Sequence, residues 1–389
     1  MTRDFDPVKP ETLESPHKEF HRQRAQCPVA HTEAQGGYWN ITRYDDVATV
    51  ASDSQRFITS VQNVVPKVAF TGRRPPLHLD PPEHTPYRKA IAPLLTTKKI
   101  AHLEPKIHDI CNSLLTPLIT NKGGDICREF SAPLPIRVFA LWMNLNHEDT
   151  ELLASVGRTY NYAVQDGDEE KTKAASAILY DLARKLLAER KTKPMPVDQD
   201  AVSSLLAASY EGKPLPEEMI IGTIRQVLVV GIIAPTVFFG SVAVHLAKDE
   251  TLQQYLRANP EKIPAAIDEF LRLYTPYRGF ARTPKEDVEL RGQTIKKDEP
   301  IAVCYAAANR DPSVFANPDE FILDRPNINS SLAFGKGAHN CVGAGLARLQ
   351  MIVALQCLLS ATTGFTLNGP VGVTRMPELG ALRVPLAFS

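Results

Sequence analysis

The chain has 389 residues, 43% hydrophobic and 23% charged, which are ordinary proportions for a soluble globular protein. Its 44 basic and 44 acidic residues cancel, which excludes a global field suited to nucleic acid or to an anionic membrane. The six cysteines (27, 111, 127, 304, 341 and 357) show neither CxxC spacing nor framework regularity, which points to free thiols in a reducing compartment.

The polar start Met-Thr-Arg-Asp-Phe-Asp-Pro predicts neither a signal peptide nor a membrane anchor. Residues 1–30 read as an irregular arm with helical patches. Tyr38-Trp39-Asn40-Ile41-Thr42 is aromatic and β-branched and predicts a strand, after which Asp45 and Asp46 open a helix through Val47, Val50 and Ala51. Residues 59–77 show no clean period and read as a long functional loop. A helix is predicted to begin at Pro81-Pro82-Glu83 with Asp80 as its N-cap. Further helices are predicted over 97–122, 147–163, 168–191, 216–247, 249–258 and 262–274. Val288-Glu289-Leu290 and Ile301-Ala302-Val303 predict strands, a helix should follow Cys341, and short strands should close the chain.

Val227 to Val244 runs 18 residues without a charge, long enough for a membrane span. Gly231, Pro235, Thr236, Gly240 and Ser241 interrupt it, so it reads as the central helix of a large core. No linker or repeat is present. The economical reading is one helix-rich domain over 1–389, mainly α with a small β region.

The chemistry concentrates in Phe334-Gly335-Lys336-Gly337-Ala338-His339-Asn340-Cys341-Val342-Gly343. Glycines there permit positive φ and close backbone approach. Cys341 lies at the start of a helix, where free N–H groups and the dipole favour a thiolate. A rigidly held thiolate suits a heme iron as an electron-donating axial ligand. The alternative is a buried structural cysteine before an amphipathic helix. Two further patterns stand apart from this loop. Glu269 and Arg272 are spaced to pair on one helix face. His84 and Arg88, four apart, can grip a carboxylate, or else mark a solvated helix start.

The loop resembles the heme-ligand signature of the cytochrome P450 family at every usual position from Phe334 to Gly343. The resemblance covers nearly the whole chain, from the Tyr38-Trp39 strand to Leu386. It implies the cytochrome P450 fold, with heme b held through Cys341 as axial ligand to the iron. It further implies propionate contacts from His84, Arg88, Arg282 and His339. Glu269 and Arg272 become a structural pair that locks the meander Phe315–Phe321, with Asp324-Arg325 following. The implied activity is a monooxygenase that hydroxylates or oxidatively dealkylates a small, largely apolar or aromatic substrate, using O2 and two electrons.

The central helix departs from the family pattern of Ala/Gly-Gly-x-Asp/Glu-Thr, whose acid and alcohol help to deliver protons during oxygen activation. Here Val230-Gly231-Ile232-Ile233-Ala234-Pro235-Thr236 retains Gly231, with Ile233 in the acid position and Ala234 in the alcohol position. Pro235 should kink the helix. Two readings follow: either Thr236, an ordered water or a substrate group supplies the proton path, or the enzyme uses peroxide or performs another heme reaction. A heme sensor without turnover is a third possibility. Substrate contacts are expected from Val230, Ala234, Arg278 and Phe280, with an apolar stripe of Val64, Val65, Val68 and Phe70. Arg278 faces a substrate carboxylate, the heme edge or the surface. No flavin, nicotinamide or iron–sulfur signature is present, so electrons are expected from a ferredoxin and its reductase docking near Lys336 and Arg348, or from a fused reductase. No nucleic-acid partner or membrane anchor is expected. The protein should be a cytoplasmic monomer.

Overall fold

The computed structural model describes residues 5–9, 12, 15–67 and 71–389. Val68 and Phe70 of the apolar stripe lie outside them. The chain forms two compact units. The first draws on residues up to 68, with 265–341 and 373–381; the second comprises 69–264, 342–372 and 382–389.

The first unit is built on a five-stranded sheet in the order Val29–Thr32, Tyr38–Ile41, Ile301–Val303, Ala281–Pro284, Phe57–Ile58. Only the pairing of Ile301–Val303 with Tyr38–Ile41 is parallel. Side chains alternate across the sheet as strand geometry requires. Trp39, Ile41, Val29, Ile301 and Val303 enter one core cluster with Val47 and Val50 of the helix Tyr44–Ser52. Tyr38, Ala30 and Ala302 enter another with Val65 and Met376. The predicted strands at 38–42, 288–290 and 301–303 are present. Ala281–Pro284, whose two ends look like turn residues, is an additional strand.

The second unit is mostly helical, with a small sheet of Phe365–Leu367, Pro385–Phe388 and Gly123–Asp125. The helices His147–Asp166 and Glu169–Thr192 pack as a pair. Gly167 at φ 71° ends the first, and the Asp168 carboxylate caps the second by accepting from the Lys171 amide at 3.0 Å. The Glu217–Val230 helix packs against Glu169–Thr192, and Ala344–Ala361 packs against Glu104–Thr120.

Three differences from the sequence reading have simple causes. The helix expected from Pro81 begins at His84, because residues preceding a proline are pushed out of the α region; the Asp80 carbonyl, not its carboxylate, accepts from the His84 amide at 3.0 Å. The helix Pro133–Trp142 was missed because Pro133 and Pro135 resemble breakers. Both occupy its first turn, where no N–H is required. The long apolar helix divides into Glu217–Val230 and Ile233–Lys248. The break falls at Gly231 and Ile232, one turn ahead of Pro235, because the proline ring displaces the carbonyl four residues before it.

Among the described residues two helical spans, Glu217–Lys248 and Ala344–Ala361, are long and apolar enough to cross a membrane by length and composition alone. The most apolar window of the first is 78% buried, as for a core helix.

Candidate active site

The cysteine loop belongs to the first unit. Gly335 (φ 72°) and Gly337 (φ 76°) both occupy the left-handed region. A Cβ on Gly337 would stand 2.5 Å from the Ala51 carbonyl oxygen and 2.7 Å from Ser52 Cα. Glycine is therefore required there twice over, by dihedral and by space. The loop closes where the Cys341 amide donates to the Phe334 carbonyl at 2.7 Å. Cys341 itself is exposed, whereas Cys111, Cys127, Cys304 and Cys357 are buried. The helix begins three residues later, at Ala344, so Cys341 precedes its first turn instead of occupying it.

Arg282 lies on the strand Ala281–Pro284, is 4% exposed, and donates through Nη1 to the Ala281 carbonyl at 2.9 Å. No carboxylate pairs with it among the described residues. Tyr305 stands beside it: burial pushes the Tyr305 phenol above its usual value, and the Arg282 guanidinium pulls the other way. His339 Nε2 lies 3.3 Å from Thr59 Oγ1. The sequence reading missed Tyr305 and placed Thr59 only within the functional loop 59–77, since no spacing pattern connects either with the cysteine loop.

Glu269 and Arg272 are 1% and 0% exposed, respectively. Arg272 donates Nε and Nη2 to the two Glu269 oxygens at 2.9 and 2.7 Å. The meander backbone closes around the pair. Arg272 Nη1 donates to the carbonyls of Asn309 (2.9 Å) and Pro318 (2.7 Å), while the Ile322 amide donates to Glu269 Oε1 at 3.0 Å. Arg325 adds a second guanidinium, its Nε 3.0 Å from Glu269 Oε1 and its Nη1 2.5 Å from the Ala316 carbonyl.

Arg278 is buried among Tyr38, Cys304 and Glu378, and no nitrogen of its guanidinium has a hydrogen-bond partner among the described residues. Burial lowers its pKa from the ordinary value, and the nearby Cys304, Tyr38 and Glu378 oppose the shift. It is not a surface arginine. Phe280 packs its ring 4.4 Å from that of Tyr277 and 6.2 Å from that of Tyr305.

In the second unit, His84 and Arg88 share the helix His84–Ile91, with His84 buried and Arg88 half-buried. On the broken helix, Val230 is 48% exposed. Ile233 and Ala234, three and four residues on, are half-buried. Gly231 has no room for a side chain, since a Cβ there would lie 2.8 Å from the Phe139 ring. Thr236, one of the expected proton sources, is turned toward backbone carbonyls. It is 2% exposed, and its hydroxyl lies 2.9 Å from the Ile232 carbonyl and 3.1 Å from that of Ser131. Ser131 Oγ donates back to the Thr236 carbonyl at 3.2 Å. The one hydroxyl proton is thus engaged in bracing the kink, where Pro235 leaves a gap in the helix ladder.

Comparison with known proteins decides the family. A family model described as Cytochrome P450 matches residues 242–368. Cytochrome P450 109 of Bacillus spizizenii is 32% identical over 352 residues, covering 88% of this chain and 83% of the relative. The chain is a cytochrome P450. Nocardicin C N-oxygenase of Nocardia uniformis is 31% identical, covering 95% of this chain and 94% of its own length. Among solved structures, cytochrome P450 CYP101C1 matches with a TM-score of 0.89 at 26% identity, covering 100% of this chain and 97% of that one. The fold is that of bacterial-type cytochromes P450, mainly α with small sheets. The protein is an oxygen-incorporating oxidoreductase, a heme-thiolate monooxygenase whose cofactor is heme b.

The residues present suit that cofactor. A single exposed thiol ends a glycine-shaped loop, and a buried arginine without a carboxylate partner among the described residues lies in the same unit.

Proposed function

We propose that the chain acts as one heme domain that hydroxylates or oxidatively dealkylates a small, largely apolar or aromatic molecule, with two electrons from a ferredoxin system or a fused reductase. The observation that carries this reading is the Cys341 loop, in which two left-handed glycines precede an exposed cysteine. In this proposal the Cys341 thiolate would hold the iron. Arg282, His339, His84 and Arg88 would hold the propionates through charge-assisted bonds. Bound heme supplies dioxygen activation and the insertion of one oxygen atom into a substrate bond.

The protein's own residues do the rest. Arg282 is fixed by the Ala281 carbonyl before any propionate arrives, so little orientational freedom is lost on binding. Val230, Ile233 and Ala234 present apolar side chains that offer no proton. With the Thr236 hydroxyl engaged by two carbonyls, proton supply falls to water or to a polar group of the substrate. Lys336 is exposed on the cysteine loop, where an acidic redox partner would dock. The protein is proposed to work as a cytoplasmic monomer, and its bacterial relatives support that placement.

The engaged Thr236 hydroxyl favours a second reading, in which peroxide replaces dioxygen and electrons. Formaldehyde release from a panel of O-methylated aromatic compounds separates the two. The first reading predicts turnover with NAD(P)H, ferredoxin reductase and ferredoxin that exceeds turnover with hydrogen peroxide alone. Turnover with peroxide only would establish the second.

A further inference from the structure

The second unit holds another polar cluster, which the proposed chemistry does not use. Arg74 comes from the irregular stretch before His84 and Arg225 from the helix Glu217–Val230. Tyr160 comes from the helix His147–Asp166, and Ser176 and Tyr180 from Glu169–Thr192. Arg225 is 0% exposed and Arg74 is 9% exposed. The Arg225 guanidinium carbon stands 4.5 Å from the centre of the Tyr160 ring and 5.8 Å from that of Tyr180, while its Nη2 donates to Ser176 Oγ at 2.8 Å. Arg74 Nη1 donates to Tyr160 Oη at 3.4 Å, and its Nη2 lies 3.3 Å from His78 Nε2.

Among the described residues no carboxylate pairs with either arginine. Arg225 Nε and Nη1, Arg74 Nε and Tyr180 Oη are buried without any acceptor. Two positive charges in the interior with guanidinium donors left over is a costly arrangement, since buried charges are ordinarily paired. The field acts on its neighbours as well. Burial alone would raise the Tyr160 phenol, yet Arg225 and then Arg74 outweigh it and bring it below the ordinary value. His78 is lowered to about 3, first by burial and then by Arg74.

A cluster of donors wants an anion. The planar forks of two arginines match a carboxylate, and the surrounding rings and apolar helix suit an apolar remainder. Arg225 lies six residues before Gly231, roughly 9 Å along the helix axis. That is the span of a para-substituted aromatic acid or a medium-chain fatty acid. We propose that Arg74 and Arg225 form a buried carboxylate site that anchors an apolar organic acid as substrate. This rests on the monooxygenase reading above and narrows its substrate class. The rival is internal: Tyr160 ionises and serves as the counter-ion itself, leaving nothing for a ligand to satisfy.

The test titrates the ferric heme-loaded enzyme with 4-ethylbenzoate, octanoate and decanoate, each beside its primary amide, following the Soret shift. At least one acid should bind about 10- to 100-fold more tightly than its amide, the range for hydrogen bonds to charged groups. Arg74→Gln should abolish that preference, and so should Arg225→Met. Should Arg225→Met fail to fold, Arg74→Gln, at the more open edge, still decides. Equal binding of every acid and amide, or a preference undiminished in Arg74→Gln, would overturn the proposal. A thiolate-type carbon monoxide band in the same preparation confines that failure to the carboxylate site, whereas absence of the band sinks the heme-thiolate reading instead.

Discussion

Removal of the Glu269 carboxylate is a severe test of how the first unit holds together. In Glu269→Ala, Arg272 Nε, Arg325 Nε and the Ile322 amide lose their carboxylate acceptor, at original distances of 2.9, 3.0 and 3.0 Å, and Arg272 Nη2 loses its 2.7 Å bond and keeps only the Glu320 carbonyl at 3.1 Å. The two guanidiniums are 0% and 2% exposed on their side chains, so water cannot replace the lost carboxylate without opening the meander. Breaking one side of a buried ion pair costs about 3–5 kcal/mol. Because this carboxylate serves two cations and an amide, the upper end, about 4–5 kcal/mol, is expected. That is about a quarter or more of the stability of a typical domain, about 5–15 kcal/mol. Glu269→Gln keeps one carbonyl acceptor and should lose less. Urea unfolding of heme-loaded protein, followed by circular dichroism and Soret absorbance together, measures the difference. A Glu269→Ala protein that loads heme normally and unfolds within about 1 kcal/mol of wild type would refute the reasoning, since that is the range of an ordinary substitution.

Three further outcomes follow from named contacts. Gly337→Ala should lose about 1–2 kcal/mol from left-handed strain and more from collision with Ala51 and Ser52, whereas Gly292→Ala (φ 74°, nothing within 4 Å) should show the strain alone; equal urea midpoints for the two would deny the close approach. Pro235→Ala restores an amide opposite the Gly231 carbonyl, so hydrogen exchange at residues 232–236 should slow by about tenfold, and unchanged exchange would place the cause of the break elsewhere. His78 is neutral in the fold until about pH 3, while the unfolded chain protonates it near pH 6.5, so the unfolded state binds more protons between those values and stability falls as pH falls. By pH 5 the accumulated loss is about 2 kcal/mol, and His78→Gln should flatten the acid limb by one proton; an unaltered slope would mean that His78 is not held neutral.

Much of the site could be read from the sequence because its constraints are local. The glycines before Cys341 mark a backbone that no other residue can follow, and the three-residue spacing of Glu269 and Arg272 predicts their pairing whatever surrounds them. Helices with strong apolar periods were legible to within a few residues. What escaped depends on partners far along the chain. Thr236 looks like a spare alcohol until Ser131, 105 residues away, is seen to share its hydroxyl. Arg74 and Arg225 are unremarkable singly and become informative only when both are buried without an acid. One signal was available: Arg225 is the lone charge of the helix after Glu218, at the head of the long uncharged run. The kink was foreseen from Pro235, but its place required the carbonyl clash to be followed back one turn to Gly231.

The measurement that bears most directly on the central claim is the reduced carbon monoxide difference spectrum of the intact protein beside Cys341→Ala. A strongly red-displaced Soret band in the intact protein, lost in the variant while the protein remains folded by circular dichroism, is the predicted result. A histidine-type band in the intact protein, or a displaced band that survives Cys341→Ala, would contradict the assignment of Cys341 to the iron.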